Sequence, residues 1–504
     1  MTLAAVDYGD VQGLVRYGYA HMTESRFLLL RVKDPRAARA WLRAAPVTPA
    51  TRTTPRPATA LQVAFTREGL EALGVPAGVL QGFSAEFLSG LSGEESRSRR
   101  LGDMGPSRPA AWLWGRAGNV PHVMVLLYAE LGRLEPWMWS VTREPWAAAF
   151  EVLPTPAPAL LDGVEPFGFV DGISQPLLDW EQGRVPAAGH DELEYGNVLA
   201  LGEVLLGYPN EYGKYTDRPL IGRDDARGAD LLPAANAPEM RDLGRNGSYL
   251  VMRQLRQDTQ EFWQFLRRQA NGDPEGGRLL AEAMVGRALT GDPLLSAGSR
   301  PIPGVDPKDA DDARYNQFTF DDDVHGTRCP FGAHIRRANP RNADLPGRPA
   351  GFLGRVIRTL GFGRKDCRED AIASTRFHRI LRRGREYGPW PPSEAPRRTA
   401  SGDEGETGLY FIGLNANIAR QFEFVQSAWM MGTKFGGLSE ESDPLVGGRE
   451  PIPGCPVTST FSLPQASGLR RRLTGLPQFV TVKGGAYFFL PGLRALRYLT
   501  SFGA

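Results

Sequence analysis

Cysteine and histidine are both scarce in this chain of 504 residues. The three cysteines, Cys329, Cys367 and Cys455, are far apart and form no Cys-x-x-Cys pair, so neither a disulfide framework nor a zinc or redox site of that kind is indicated. The simplest interpretation is a reducing compartment. Because there are only six histidines, the setting of each one is informative.

The chain also lacks an excess of either charge and lacks long apolar runs. Its 59 Lys and Arg against 57 Asp and Glu give a formal net charge of +2, which does not favour a nucleic acid or an anionic membrane as partner. Apolar runs such as 27–30 and 123–128 are far shorter than the roughly 20 residues of a membrane span. Residues 1–10 show neither the basic nor the apolar region of a secretory signal. We therefore expect a cytoplasmic protein that binds no nucleic acid and no membrane.

Several common enzyme signatures are absent from the sequence. There is no phosphate-binding Gly-x-x-x-x-Gly-Lys-Ser/Thr loop, no His-Glu-x-x-His zinc motif, no Gly-x-Ser-x-Gly nucleophile turn and no EF-hand loop. The glycines of 351–363 lack the Gly-x-Gly-x-x-Gly spacing of a dinucleotide site. These absences remove the support for several large enzyme classes.

The composition predicts a folded protein with two large units. Hydrophobic residues make up 41% and charged residues 23% of the chain, which is ordinary globular usage. At roughly 100 to 200 residues per domain, the length favours two domains, expected at 1–240 and 241–504. The 59 glycines and 41 prolines indicate many long irregular connections, above all in 178–246.

Hydrophobic patterning suggests that strands and helices alternate twice along the chain. The expected strands are 26–32, 60–65, 122–129, 248–255, 377–382, 409–414 and 479–489. The expected helices are 35–43, 67–73, 259–268, 277–287 and 417–430. This pattern predicts two similar α+β halves. Periodicity alone does not decide whether their sheets are antiparallel or parallel.

His334 has the most distinctive setting among the histidines. Small residues precede it in Cys-Pro-Phe-Gly-Ala-His, and Arg336, Arg337 and Arg341 follow it. Small residues let a flat ligand approach, and arginines suit carboxylates; haem combines two propionates with an iron that accepts imidazole. A helix with a solvated basic face remains the more frequent explanation of such a segment.

Two further segments contain candidate catalytic residues. Asp171 lies between glycines and apolar residues in 168–176, where flanking glycines could bend the backbone and push a carboxylate into a cavity. Arg382 ends an apolar, strand-like run, and a buried arginine needs an anion or a strong acceptor. Taken separately, an Asp-Gly turn and a surface charge explain these residues more simply.

Together the three segments resemble one family, the dye-decolorizing peroxidases, which are haem enzymes. Residues 168–172 match the family's Gly-x-x-Asp-Gly motif, residues 329–341 are similar to its proximal-histidine segment, and residues 380–388 are similar to the strand that bears its distal arginine. The resemblance implies an α+β fold of duplicated ferredoxin-like halves, with helices packed on antiparallel sheets and haem in the C-terminal half. It leaves the roles of 178–246 and 351–370 open.

The same resemblance implies roles for individual residues. His334 would bind the iron of haem b on the proximal side, while Asp171 and Arg382 would face the distal side, where hydrogen peroxide enters. Asp171 would take and return a proton, and Arg382 would stabilise negative charge during O–O cleavage. The residues expected to contact the cofactor are His334, Arg336, Arg337, Arg341, Asn417 and Phe422. The acceptor for the proximal imidazole would be Asn417 or Glu423.

Three functions remain open on the sequence alone. The first is a peroxidase that oxidises dyes, phenols and other small aromatic donors. The second is a haem-binding or iron-handling protein of the same fold with little turnover, and the third is a module that kept the fold without haem. Trp263, Tyr387, Trp390 and Trp429 are possible surface oxidation sites, although most such aromatics belong to the core. The physiological donor, and whether the protein is a monomer or a dimer, are left open.

Overall fold

The structure is a computed structural model, and it describes most of the chain. The described ranges are 5–183, 197–295, 318–341, 375–388, 405–450 and 458–502. The segment 351–370, Cys367, Trp390 and Cys455 lie outside them. Cys329 is buried.

Helices and strands occupy the following bounds. The α-helices are α1 Pro35–Ala44, α2 Arg67–Ala72, α3 Ala77–Leu80, α4 Ala85–Ser89, α5 Glu95–Arg100, α6 Leu134–Val141, α7 Trp146–Ala149, α8 Thr259–Gln269, α9 Pro274–Val285, α10 His334–Ala338 and α11 Leu493–Leu499. The strands are β1 Glu24–Val32, β2 Thr59–Phe65, β3 Val123–Ala129, β4 Phe150–Leu153, β5 Leu177–Leu178, β6 Val198–Leu199, β7 Leu220–Gly222, β8 Pro233–Ala234, β9 Ala237–Asp242, β10 Ser248–Gln257, β11 Leu381–Arg382, β12 Arg385–Tyr387, β13 Gly408–Asn415, β14 Thr460–Leu463, β15 Arg471–Thr474 and β16 Val480–Leu490. Two π-helical segments are Ala419–Glu423 and Val425–Met430.

Local sequence explains why several of these elements begin and end where they do. The side chain of Asp34 accepts hydrogen bonds from two N–H groups of the first turn of α1, and Pro35 supplies a fixed φ at the first helical position. Asp273 and Pro274 start α9 in the same way. Gly286 ends α9 in the left-handed conformation, with φ of 95°. The strand β3 is buried at every position, as a central strand covered on both faces requires.

A nine-stranded sheet joins the two halves of the described chain. Its order is β11-β13-β10-β16-β2-β3-β1-β4, with β12 also paired to β13. The pairings within it are antiparallel, which decides the alternative that periodicity left open. The order is β4-β1-β3-β2 in the first half and β16-β10-β13-β11 in the second. Counted along the chain within each half, both read fourth, first, third, second, which is the order of a ferredoxin-like fold. The halves meet where Phe489 pairs with Phe65, so they share one sheet.

Most expected elements are confirmed, and one is wrong. Residues 375–377 form a short 3-10 helix, and the strand expected at 377–382 begins only at Leu381. The described residues of the excursion 178–246 are irregular apart from short strands, among them β7, β8 and β9, and short 3-10 turns. The division between residues 240 and 241 stays a prediction, and it lies within β9.

Apolar side chains fill both faces of the sheet. One cluster lies beneath the helices and includes Trp41, Leu70 and Leu127; another covers the opposite face and includes Tyr128, Leu381 and Tyr410. A third packs α8 and α9 against the β14–β15 hairpin. Among the described residues, no helix combines the length and apolar character needed to cross a membrane.

Candidate active site

His334 is the first residue of α10, and its imidazole is held by a carboxylate from far along the chain. The distance from His334 Nδ1 to Asp443 Oδ2 is 3.0 Å. The other oxygen of Asp443 accepts hydrogen bonds from the backbone N–H groups of Leu445 and Val446, each at 2.9 Å. Asp443 is therefore fixed by its own backbone, and it fixes the ring in turn.

The charges of this pair stabilise each other. Burial alone would lower the pKa of His334, but the charge of Asp443 and the hydrogen bond to it raise that pKa above its usual value. Burial alone would raise the pKa of Asp443, but the charge and hydrogen bond of His334 hold it below its usual value. An ionised carboxylate only accepts hydrogen bonds, so Nδ1 keeps its proton and the neutral ring has its lone pair on Nε2, where a ligand can bind.

The expected acceptor for this imidazole, Asn417 or Glu423, is wrong. The side-chain oxygen of Asn417 accepts from the N–H of Arg420 at 2.8 Å, as a helix cap does. The buried carboxylate of Glu423 pairs with Arg97 at 2.7 Å and accepts a hydrogen bond from the Tyr487 hydroxyl at 2.9 Å. The acceptor comes instead from the loop that follows that segment, which is not visible from the local sequence.

Asp171 and Arg382 form the second part of the site. Arg382 Nη1 lies 3.4 Å from Asp171 Oδ1, and Gln175 Oε1 accepts from the Arg382 backbone N–H at 2.9 Å. The Asp171 N–H donates to the Gly163 carbonyl at 3.0 Å, and Gly172 has φ of 81°. Glycine is needed there because other residues rarely adopt that conformation. The bent backbone expected beside Asp171 is present, and the catalytic role of Asp171 stays a prediction.

The three predicted segments converge on one space. The charges of Arg382 and Asp171 both act on the pKa of His334, so they lie near its ring. The side chain of His334 is 28% exposed although Asp443 behind it is fully buried. The side chains of Asp171 and Arg382 are 30% and 36% exposed. The His334 imidazole, with Nδ1 bonded to Asp443 and its other edge exposed, thus lies near the Asp171–Arg382 pair.

The three arginines after His334 are buried and make hydrogen bonds within the protein. They are at most 4% exposed. Their acceptors are Asp323 and the Cys329 carbonyl for Arg336, the carbonyls of Trp429, Gly432 and Glu441 for Arg337, and the Phe318 carbonyl for Arg341. These contacts hold the loop that presents His334. The predicted contacts of these arginines with a cofactor stay predictions, and the hydrogen bonds of Arg336 and Arg337 do not favour them.

The remaining predicted residues belong to the interior. Phe422 packs against Tyr487 in the helix-covered core, and its predicted cofactor contact stays a prediction. The aromatic candidates Trp263, Tyr387 and Trp429 are all buried, at 8%, 1% and 7% exposure. They are core aromatics in this fold.

Two carboxyls near Asp171, the partly buried Glu165 and the buried Glu386, were missed by the sequence analysis. Glu165 accepts from the N–H groups of Phe167 and Phe169, and Glu386 lies on β12. Burial is the main cause that raises the pKa of both, and the charge of Asp171 raises it further. A glutamate four residues after Arg382, with strand alternation, was the signal available for Glu386.

No bare metal site is formed by the described residues. Within the described ranges, no three His, Cys, Asp or Glu side chains are grouped so that they could hold a metal ion. His334 would therefore be a single protein ligand, as suits an iron whose other ligands come from a macrocycle.

Comparisons with known proteins agree with this geometry. No protein-family model matches the chain. It is 29% identical over 476 residues to the dye-decolorizing peroxidase msp1 of Mycetinis scorodonius, covering 88% of this chain and 77% of that one. It is 31% identical over 351 residues to the multifunctional dye peroxidase DyP2 of an Amycolatopsis species, covering 67% of this chain and 61% of that one.

Solved structures show the same fold. A DyP-type peroxidase from Auricularia auricula-judae superposes with a TM-score of 0.71 at 24% identity, over 99% of this chain and 100% of that one. A dye-decolorizing peroxidase in complex with 2,6-dimethoxyphenol gives a TM-score of 0.71 at 23% identity, over 99% of both chains. The relatives and the shared fold, together with three motifs that lie around one space, lead to one conclusion. The chain belongs to the dye-decolorizing peroxidase family and is a haem-dependent peroxidase.

Proposed function

We propose that this peroxidase holds haem b through His334 and reduces hydrogen peroxide with the help of Asp171 and Arg382. Its proposed donors are dyes, phenols and similar aromatic molecules, oxidised one electron at a time. The observation that carries the proposal is the pairing of His334 with Asp443 beside the open Asp171–Arg382 pair.

The residues present fit a haem group. The open edge of the His334 ring offers Nε2 as a ligand, because Nδ1 is occupied by Asp443. A carboxylate behind a ligating imidazole raises its basicity and fixes its orientation. When bound, haem would supply the redox-active iron that takes up the oxidising equivalents of peroxide.

Asp171 and Arg382 supply complementary chemistry on the distal side. The Asp171 carboxylate can accept a proton from one peroxide oxygen and return it to the other, which turns the leaving oxygen into water. The Arg382 guanidinium offers fixed positive charge where negative charge develops. Its backbone N–H is anchored by Gln175 and its Nη2 lies 3.4 Å from the Ser174 carbonyl, so the group is positioned before peroxide arrives.

The proposed donors rest on the relatives. DyP2 of Amycolatopsis is named a multifunctional dye peroxidase, and one structural relative is a complex with 2,6-dimethoxyphenol. A peroxidase that accepts dyes and phenols therefore agrees best with these relatives.

Haem titration tests the proposed ligand. We expect His334→Ala to bind haem at least about tenfold more weakly, because the ligating nitrogen is lost. His325→Ala is the matched control: His325 lies in the same segment and is exposed. Equal haem affinity in the parent and in His334→Ala would contradict the assignment.

Peroxide-dependent oxidation of a dye and of 2,6-dimethoxyphenol tests the activity. The haem-loaded parent should turn over both, and Asp171→Asn should slow the peroxide step while binding haem normally. Tight haem binding without turnover would favour the haem-binding or iron-handling alternative.

A further inference from the structure

A second carboxyl, that of Glu386, lies on the same face of the sheet as Arg382. The strands β11 and β12 keep one register against β13: Arg382 is opposite Gly413, and Glu386 is opposite Leu409. The two short strands are therefore one strand interrupted at Gly384. Because successive side chains point to opposite faces, Arg382 and Glu386 share a face.

The intervening residues confirm this alternation. The guanidinium of Arg383 donates to the Leu14 carbonyl at 2.8 Å, and that of Arg385 donates to the Tyr19 carbonyl at 3.0 Å. Both acceptors belong to the N-terminal segment on the opposite face of the sheet. The two neighbouring arginines thus point away from Glu386.

The carboxyl of Glu386 is buried and incompletely bonded. Glu386 is 5% exposed, and its Oε2 is buried with no hydrogen-bond partner among the described residues. Glu165 differs, because Oε1 accepts from Phe169 N–H and Oε2 accepts from Phe167 N–H and from Gln257. Of these two acids, Glu386 is the one with an oxygen left for a water or a mobile proton.

One loop connects Glu386 with Asp171. The Ala159 N–H donates to the Glu386 carbonyl at 2.8 Å, and four residues later the Gly163 carbonyl accepts from the Asp171 N–H. The exposed Asp162 lies in the same loop. The loop is therefore hydrogen-bonded to Glu386 at one end and to Asp171 at the other, and it is exposed to solvent between them.

The electrostatic setting keeps a proton on Glu386 near neutrality. Burial is the main cause that raises its pKa to about 7, and the charges of Asp171 and Asp162 raise it further, while Arg385 opposes them. The cross-strand neighbour of Glu386 on β13 is Leu409, which carries no charge. At neutral pH a large share of Glu386 is therefore protonated.

From this placement, and given the proposed function, we propose that Glu386 is a proton-relay residue that supplies Asp171. Reduction of one peroxide to two waters takes up two electrons from the donors and two protons. Asp171 moves the peroxide's own proton from one oxygen to the other, so the first water needs no proton from outside. As the second oxygen becomes water, Glu386 would pass a proton to Asp171, which delivers it to that oxygen, and Glu386 would then regain a proton from solvent. It acts through Asp171 and does not itself contact the substrate.

Infrared difference spectra of the holoenzyme test the coupling without measuring activity. We expect a protonated-carboxyl band that titrates near pH 7 and is lost in Glu386→Gln. In Asp171→Asn the midpoint of that band should move to lower pH, because a neighbouring negative charge is gone. A midpoint unchanged by Asp171→Asn would overturn the proposal. Glu165→Gln identifies the band of the other acid.

Turnover with two kinds of donor tests the relay itself. Ferrocyanide releases an electron but no proton, whereas a phenol releases both. Glu386→Gln should therefore slow ferrocyanide oxidation by roughly tenfold, less than a general acid in direct contact contributes, and slow phenol oxidation less. Glu386→Asp should recover part of the loss, and the control Glu239→Gln, at an exposed acid outside this loop, should match the parent.

Equal slowing of both donors, or none, would overturn the relay. If the parent itself fails to turn over peroxide, the proposed function is wrong, yet the infrared titration still decides whether Glu386 and Asp171 are coupled. The two failures are therefore distinguishable.

Discussion

Replacing Asp443 by asparagine should reverse the hydrogen bond behind His334. In the parent, the carboxylate accepts from Nδ1 at 3.0 Å while its other oxygen accepts from the N–H groups of Leu445 and Val446. Asparagine can keep the two backbone contacts with its single oxygen, which leaves its NH₂ group facing Nδ1. Two donors cannot share a hydrogen bond, so the imidazole proton moves to Nε2, the nitrogen needed for the iron.

The magnitude follows from the contact that is lost. A hydrogen bond to a charged group contributes about 1.5–3 kcal/mol, and loss of the partner behind a ligating histidine weakens metal binding by about 10- to 100-fold. We therefore expect the dissociation constant for haem to rise by about 10- to 100-fold in Asp443→Asn, which corresponds to about 1.4–2.7 kcal/mol.

The assay is titration of haem into the apoprotein, followed by absorbance in the Soret region. Glu441→Gln is a matched control, because Glu441 is also a buried acid but its carboxylate binds Ser462. It should bind haem like the parent. Parental affinity in Asp443→Asn, with an unchanged urea midpoint, would refute the reasoning.

Three more outcomes follow from the structure. Arg382→Leu should slow the peroxide step by roughly 10²–10³-fold in stopped-flow measurements, because fixed positive charge is lost; an unchanged rate would make Arg382 a structural residue. Leu127→Ala should cost about 2–5 kcal/mol of unfolding free energy in urea, since Leu127 is fully buried, whereas the exposed Leu131→Ala should cost almost nothing. Burial and the charge of Arg31 lower the pKa of His122 below its usual 6.5, and its Nδ1 lies 3.1 Å from the Val32 backbone N–H. The contribution of His122 to the free energy of unfolding is therefore fully present above pH 6.5 and is lost as the pH falls through the lower pKa of the folded state. His122→Gln should lack this pH dependence in urea titrations at several pH values.

Patterns that act over a few residues were readable from the sequence. The apolar runs of β1, β2 and β3 predicted strands, and Asp34-Pro35 marks the start of a helix in the structure, because alternation and capping depend only on neighbouring residues. The motifs at Asp171, His334 and Arg382 were readable for the same reason, since each motif is contiguous. Resemblance to a family then supplied their roles.

Periodicity could not decide how the strands pair. An apolar run such as 249–252 fits an antiparallel and a parallel sheet alike, so only the register of β10 with β13 and β16 settles the direction. The joining of the two halves at Phe489 and Phe65 is likewise a contact between distant residues.

The partners of the site residues were decided by tertiary structure alone. Asp443 reaches His334 across 109 positions of sequence, and its own segment contains two other acids that were equally plausible by type. Glu386 resembles any charged residue on an edge strand until the fold buries it beside the loop that hydrogen-bonds to Asp171. Sequence determines which chemical groups are available and what local structure carries them. Which groups become buried together, and so which carboxyl stays ionised and which keeps a proton, depends on packing between segments far apart in the chain.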